Sequence, residues 1–329
     1  MILAGDVGGT KTLLALFERE KEGLRQVRDR TYASREHPSL AAIVADFLAG
    51  TSGPAPERAC FGVAGPVRDG RVRATNLPWE IDAGTLAAEL GIVRVVLLND
   101  LEAAARGILR LAPGQFAILQ QGDPDPGGNA AVIAPGTGLG VALLVREGHR
   151  LRAVASEGGH ADFAPRDERE IALFRYLQVR YGGHVSCERI LSGDGIHALY
   201  CFERDRGTAL EPDWLRERLA SGDPNATISG IALADGHPLC VAALELFCSI
   251  LGAEAGNLAL RAVATGGIYV GGGIAPQIVS ALADGTFVRA FVEKGRFSDW
   301  MRSIPVRVAL DPRAPLLGAA HALLEDGAG

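Results

Sequence analysis

One pattern occurs twice in this chain and limits the folds open to it. Ile2-Leu3-Ala4-Gly5-Asp6-Val7-Gly8-Gly9-Thr10 is an apolar run that breaks into a glycine turn ending on a threonine, and Lys11 to Phe17 then resumes as strand-like sequence. Ala130-Ala131-Val132-Ile133-Ala134-Pro135-Gly136-Thr137-Gly138 repeats it, with Leu139 to Val145 following. Each copy reads as strand, turn, strand. Glycines permit φ > 0 and let backbone N–H groups converge on one anion, while threonine adds a hydroxyl donor. Two such turns facing each other would hold a polyphosphate between two domains.

The first turn has competing readings. A dinucleotide fold wants G-x-G-x-x-G entering a helix, but Thr12 to Phe17 is β-compatible, with Thr12, Leu14 and Leu16 on one face. A P-loop needs G-x-x-x-x-G-K-[ST]; Gly5 to Thr12 misses it at Thr10 and no clear helix follows. A plain hairpin turn without ligand stays open. Asp6 favours a ligand, because a carboxylate at a buried strand end needs a metal or a hydrogen-bond network.

At 329 residues the length favours two domains of roughly 100–200 residues each. A net charge of −6 argues against nucleic acid as a partner. The chain starts directly on a strand, without a charged n-region or cleavage site, so no secretory signal is expected. Long apolar runs are read as interrupted by Gly, Pro or charge short of a membrane span. Cys60, Cys187, Cys201, Cys240 and Cys248 are odd in number and form no C-x-x-C, which fits buried free thiols in a reducing cytoplasm.

Leu3 to Val27 reads as a β-meander with Glu18 to Gly23 as a charged turn, and Ser39 to Ala49 as a helix started by Pro38. Ala59 to Val67 is predicted as a strand, Asp69-Gly70 as a hairpin turn, Arg71 to Asn76 as its return and Ala83 to Leu90 as a helix. Val93 to Leu98 is typical of a parallel strand buried on both faces. It stops at Asn99-Asp100, and a helix is predicted from Leu101 to Leu111. Arg150 to Ala155 reads as a strand, Ile171 to Arg180 as a helix, and Cys187 to Leu191 as the start of another. Val241 to Leu260 is the longest helical stretch, with Glu245 and Glu254 off its apolar face. Gly266 to Pro276 holds a third glycine-framed strand, and Leu316 to Glu325 a closing helix. The alternation suggests duplicated α/β domains with a central cleft.

Asp100 is the sharpest chemical candidate, since the carboxyl end of a parallel strand is where open α/β sheets place ligands. The alternative is an N-cap for the following helix, and the two roles are compatible. Glu157-Gly158-Gly159-His160 brings backbone close to a ligand with polar side chains on either side. Glu188 is read as opening a helix, where a dipole role competes with ligand binding. Asn99, Asp100, Glu157, His160 and Glu188 are acceptors and mixed donor-acceptors without a cationic cluster, which suits a neutral polyol.

These segments, together with Ser186-Cys187-Glu188-Arg189-Ile190-Leu191-Ser192-Gly193 and Gly271-Gly272-Gly273-Ile274, resemble the bacterial glucokinase family of the sugar kinase, actin and Hsp70 superfamily. Asn257 to Leu260, Lys294 to Phe297 and Pro315 to Ala319 extend the likeness in the same order over nearly the whole chain. The resemblance implies two actin-like (ribonuclease H-like) α/β domains: a small one of residues 1–111 plus 312–329, and a large one of 112–311. It implies ATP-dependent phosphorylation of the 6-hydroxyl of glucose, with Asp100 as base and Asn76, Asn99, Glu157, His160 and Glu188 around the sugar. Gly5 to Thr10 and Gly136-Thr137-Gly138 would face the phosphates, Gly271 to Gly273 would lie by the adenosine, and Asp6 would place Mg²⁺ through water. Closure would keep water from competing for the phosphoryl group.

Two departures qualify the likeness. Lys11 stands where this family usually has Asn; Lys is usual in the related group of repressors, open-reading-frame kinases and sugar kinases. That group's clustered-cysteine zinc motif does not follow His160, so no structural zinc is expected. The implied protein is cytoplasmic, free of nucleic acid and membrane, with a homodimer open by analogy alone. A kinase for mannose, fructose or an N-acetylhexosamine, and a non-catalytic sugar sensor, remain the alternatives.

Overall fold

A computed structural model describes residues 1–20, 23–51, 53–234 and 236–325. In chain order the elements are β1 Ile2–Val7, β2 Lys11–Glu20, β3 Gly23–Ala33, α1 Leu40–Ala49, β4 Arg58–Val63, β5 Arg71–Arg73, β6 Glu80–Asp82, α2 Ala83–Leu90, β7 Arg94–Asn99 and α3 Asp100–Ile108. Then come β8 Phe116–Gln120, β9 Ala130–Pro135, β10 Leu139–Glu147, β11 Arg150–Ser156, α4 Glu168–Tyr181, α5 Gly193–Asp205, α6 Asp213–Ala220, α7 Pro224–Ala234 and α8 Pro238–Ala262. The chain ends with β12 Gly267–Val270, α9 Val279–Leu282, α10 Thr286–Val292, α11 Ser298–Ser303, β13 Val306–Ala309 and α12 Ala314–Glu325. Contacts divide it into two units, Met1–Ala112 with Ala153–Ala155 and Asp311–Gly329, and Pro113–Arg152 with Ser156–Leu310.

The first unit is a sheet of order β3-β2-β1-β4-β7. β1 runs antiparallel to β2 and parallel to β4, which in turn runs parallel to β7. Successive side chains point to opposite faces, so the apolar runs feed two cores. Leu3, Val7, Leu14, Leu16, Phe61 and Leu97 pack with Ile43, Val44 and Phe47 of α1. Ile2, Ala4, Phe17, Cys60 and Leu98 pack with Ala103 of α3 and with Leu316, Ala319, Ala320 and Leu323 of α12. Glycine lets α3 and α12 come together: a Cβ on Gly107 would lie 1.7 Å from Ala314 O, and one on Gly318 1.8 Å from Ala103 O.

Several expectations change. β7 has one neighbour and so is an edge strand; both its faces are covered at its carboxyl end, Leu97 by one core and Leu98 by the other, whereas Val93 lies outside it, 84% exposed, and Val95 and Val96 are half-buried. β4 stops at Val63, and the return strand shortens to β5, paired with β6, which the sequence reading passed over. Asp69 and Gly70 do form the hairpin turn, with φ of 49° and 72°. The predicted charged turn at Glu18 to Gly23 falls partly on residues 21–22, outside the described residues.

The second unit is a six-stranded sheet, β11-β10-β9-β12-β13-β8. β10 runs antiparallel to β9, while β9, β12 and β13 run parallel. One core joins the sheet to α4, α5, α7, α8 and α10. α6 and α7 were not expected, and the helix expected to start at Cys187 to Leu191 begins instead at Gly193, as α5. α8 is longer than expected and, with a mean hydropathy of 1.7 over an 18-residue stretch, long and apolar enough to cross a membrane, contrary to the reading of interrupted runs; most of that stretch is buried among its neighbours. Glu254 was expected off the apolar face but is only 8% exposed. It is tolerated because Asn257 Nδ2 and Arg261 donate to it at 2.8 and 3.0 Å. Lys294 Nζ reaches Asn257 Oδ1 at 2.9 Å, so two of the segments that carry the resemblance meet there. All five cysteines are free and buried.

Overpacking at a backbone-to-backbone contact costs about 1–3 kcal/mol or more. Gly318→Ala should therefore lower the melting temperature by roughly 5–10 °C. Gly230→Ala, in α7 with no atom within 4 Å of its Cβ position, should leave it unchanged or slightly higher. Equal melting curves for Gly318→Ala and the parent would refute the close contact of α3 and α12.

Candidate active site

Strand register assembles the candidate residues of the first unit. Asp6 of β1 is opposite Gly62 of β4, which is opposite Leu98 of β7, and Val63 is opposite Asn99. Asp6 follows Ile2 and Ala4 in the row that faces α3 and α12, and Asp100 is the first residue of α3. Gly62 lets the start of α3 lie close against the sheet: a Cβ there would meet Ala103 Cβ at 2.8 Å and Asp100 Cα at 3.6 Å. Burial, and secondarily the Asp100 carboxylate, push the Asp6 carboxyl up to about 7.

Asn99, not Asp100, caps α3. Its Oδ1 accepts the N–H groups of Leu101 and Glu102 at 3.0 and 3.3 Å, while Nδ2 donates to Gly65 O at 3.2 Å. An Asn outranks the acidic residue here because its backbone is extended, at φ −63° and ψ 145°, as a cap requires. Asp100 Oδ1 accepts Leu101 N–H at 2.9 Å. Its side chain is thus oriented at the helix start, where the helix dipole stabilises the carboxylate.

The turn Gly8-Gly9-Thr10 is closed by a 2.9 Å bond from Gly8 N–H to Lys11 O. Neither glycine adopts the left-handed φ that the sequence reading invoked. Gly9 is required by proximity instead, since its Cβ would lie 2.5 Å from Asn76 Cβ; Asn76 itself is exposed. Gly5 is similarly crowded, by Phe61 at 2.5 Å. Thr12 and Ser34 escaped the sequence reading as functional residues. Both are fully buried; Ser34 Oγ donates to Gly8 O at 2.7 Å, so Thr12 Oγ1 donates to Ser34 Oγ at 2.9 Å. A threonine in an otherwise apolar row was the available signal, because a buried hydroxyl needs a partner.

The second unit brings Glu157, His160, Glu188 and the turn at Gly136 to Gly138 together. His160 Nδ1 lies 3.8 Å from Glu188 Oε1, and Nε2 lies 4.0 Å from Glu157 Oε2. Those gaps exceed a direct hydrogen bond, and all three groups can meet a hydroxyl-bearing ligand. Glu188 does not open an α-helix as expected; it sits in a single 3₁₀ turn, Cys187–Arg189, too short for an appreciable dipole. Its Oε2 accepts Leu139 N–H at 3.0 Å.

The third glycine turn leans on the second. Gly271 N–H donates to Ile133 O at 2.8 Å and Ile274 N–H to Pro135 O at 3.2 Å. Gly272, at φ 78°, is the one glycine of the three candidate turns in the left-handed region, and its Cβ would lie 2.3 Å from Pro135 O.

Among the described residues no group of three or more His, Cys, Asp or Glu side chains is arranged to hold a metal. Asp6 nevertheless suits Mg²⁺, which takes one or two carboxylates and completes its shell with water and phosphate oxygens. A half-buried carboxyl whose pKa is raised beside a second carboxylate is what a divalent cation would relieve.

Comparison with known proteins gives a consistent picture. The Glucokinase family model matches residues 3–326. A glucokinase of Nostoc punctiforme is 42% identical, covering 97% of this chain and 98% of that protein. A glucokinase of Aromatoleum aromaticum is 40% identical over 98% of this chain and 94% of its own. The crystal structure of a glucokinase from an Antarctic psychrotroph superposes with a TM-score of 0.83 at 33% identity, covering 98% of each chain.

Linkage sets the pH dependence of Asp6. A carboxyl whose folded pKa exceeds its unfolded value adds stability that is complete below about pH 3.8 and lost as the pH rises through about 7. Metal-free protein should lose thermal stability over that window. Asp6→Asn should remove most of the loss, melting roughly 3–8 °C above the parent near pH 7.5 and within about 2 °C of it near pH 4. Parallel profiles for the two proteins would disprove a raised Asp6 pKa.

Proposed function

The chain belongs to the glucokinase family, and on that premise we propose that it transfers the γ-phosphoryl group of ATP to the 6-hydroxyl of glucose, with Asp100 as general base. The observation that carries the assignment of the base is the placing of Asp100, at the carboxyl end of β7, beside the half-buried Asp6 whose pKa it helps to raise. In this reading Asp100 takes the proton of the 6-hydroxyl as that oxygen forms its bond to the γ-phosphorus; the bond to the β,γ-bridging oxygen breaks and ADP leaves. The Asp100–Leu101 hydrogen bond supports the role, because it fixes the carboxylate's orientation. Phosphoryl transfer asks a protein mainly for positioning and charge stabilisation.

Asn99, Glu157, His160 and Glu188 would hold the sugar, with Asn76 near it. Asn99 keeps one amide N–H for this, the rest of its amide being committed to the cap and to Gly65. Gly5 to Thr10 and Gly136 to Gly138 would meet the phosphates, and Gly271 to Gly273 the adenosine. Asp6 would hold Mg²⁺ through water, and the cation would offset phosphate charge when bound. The small domain is taken as 1–111 plus 312–329 and the large as 112–311, both actin-like (ribonuclease H-like). Support for that fold is that each sheet joins an antiparallel hairpin to parallel strands. Five free thiols support a cytoplasmic setting.

Asp100→Asn should lower kcat by ~10²–10⁴ with glucose affinity within a few-fold of the parent; near-normal turnover would dismiss Asp100 as base. Glu157→Ala should instead raise the glucose KM by about tenfold or more, and an unchanged KM would end its assignment. A panel of glucose, mannose, fructose and N-acetylhexosamines, each with ATP, ADP or polyphosphate, should show the highest kcat/KM for glucose with ATP. A preference for another pair would replace the substrate assignment.

A further inference from the structure

Three candidate elements of the second unit meet at Leu139, the first residue after the second glycine turn. Its N–H donates to Glu188 Oε2 at 3.0 Å. Its carbonyl oxygen lies where a Cβ on Gly159 would come within 2.0 Å, so the Glu157-to-His160 loop rests directly on it. On the other side of the turn, Gly193 N–H donates to Gly136 O at 2.9 Å. The segment that carries Glu188 thus grips the turn at both ends. Glu188 Oε2 also fills the space beside Gly138, 2.3 Å from the place a Cβ would occupy, while Oε1 faces His160 Nδ1 at 3.8 Å.

We propose that Glu188 couples sugar binding to nucleotide binding through the Leu139 N–H. One carboxylate oxygen is committed to the exit of the nucleotide turn and the other is presented toward the sugar loop. A carboxylate is rigid and planar, so a constraint on one oxygen constrains the other. A sugar hydroxyl that fixes Glu188 therefore fixes the Gly136–Gly138 turn, and a nucleotide that orders the turn orients Glu188. Glycine segments lose the most conformational freedom on ordering. Whichever ligand arrives first meets that entropic cost, and the second binds more tightly. The inference rests on the glucokinase reading and adds to it a route of coupling within one unit.

Calorimetric titration tests it with glucose and a non-hydrolysable ATP analogue, each alone and each with the other saturating. In the parent protein each should tighten the other by the same factor, about 5- to 20-fold, since equilibrium coupling is reciprocal. Gly138→Ala places a methyl against Glu188 Oε2. It should weaken glucose binding measured without nucleotide by roughly tenfold and reduce the coupling factor below about two. Should that variant not fold, Glu188→Gln keeps an oxygen for the Leu139 N–H but drops the charge, and should cut the factor at least about threefold. Parent protein that binds both ligands with a factor of one, or a folded variant that keeps the parent's factor, overturns the coupling and leaves the functional assignment intact. Failure of the parent to bind glucose or any other hexose of the panel overturns the functional assignment, and the coupling falls with it.

Discussion

Two carboxylates repel each other at one edge of the first sheet, and much of the first unit can be understood as the means of keeping them there. Asp6 ends a row of side chains, Ile2 and Ala4, that is otherwise buried, so its charged form is poorly hydrated as well as facing Asp100. The parallel register of β1, β4 and β7 sets the two acids on the same end of the sheet. Gly62 lets α3 pack close to β4, and Asn99 starts the helix on which Asp100 is carried. Two neighbouring acids, one with its pKa raised, cost stability near neutral pH, so the arrangement is a poor stability device.

The glycines have a different meaning from the one their abundance suggests. In the candidate turns they are needed chiefly because something else occupies the space of a side chain: Asn76 at Gly9, Glu188 at Gly138, the Leu139 carbonyl at Gly159. Backbone freedom matters at Gly272, where φ is 78°. The second unit consequently holds its candidate groups by contact between loops, each loop braced on the strand end of another.

Much of this was legible in the chain itself. The paired strand-turn-strand units, the helix at Ala83–Leu90 and the carboxylate after β7 follow from local pattern, because apolar alternation and turn chemistry act over a few residues. The rest depended on partners far along the sequence. Whether an apolar run such as β7 is central or at an edge is decided by the number of neighbouring strands. Glu254 is buried because Arg261 and Asn257 answer it, and a helical pattern alone assigns a glutamate to the surface. The hydroxyl chain from Thr12 through Ser34 to Gly8 joins residues on different elements, so neither one announces it.

The position of α12 has a bearing on how the molecule is made. Residues Leu316, Ala319, Ala320 and Leu323 complete the apolar layer beneath Ile2, Ala4, Phe17 and Cys60, and Gly318 seats that layer on α3. During synthesis the sheet of the first unit therefore emerges before the second unit, yet the face shared by α3 and α12 is completed only when α12 follows. The intervening unit, whose sheet strands all precede α12, can consolidate in the meantime. The first sheet is thus begun before the second unit and completed after it, so its closing depends on contacts of high sequence separation.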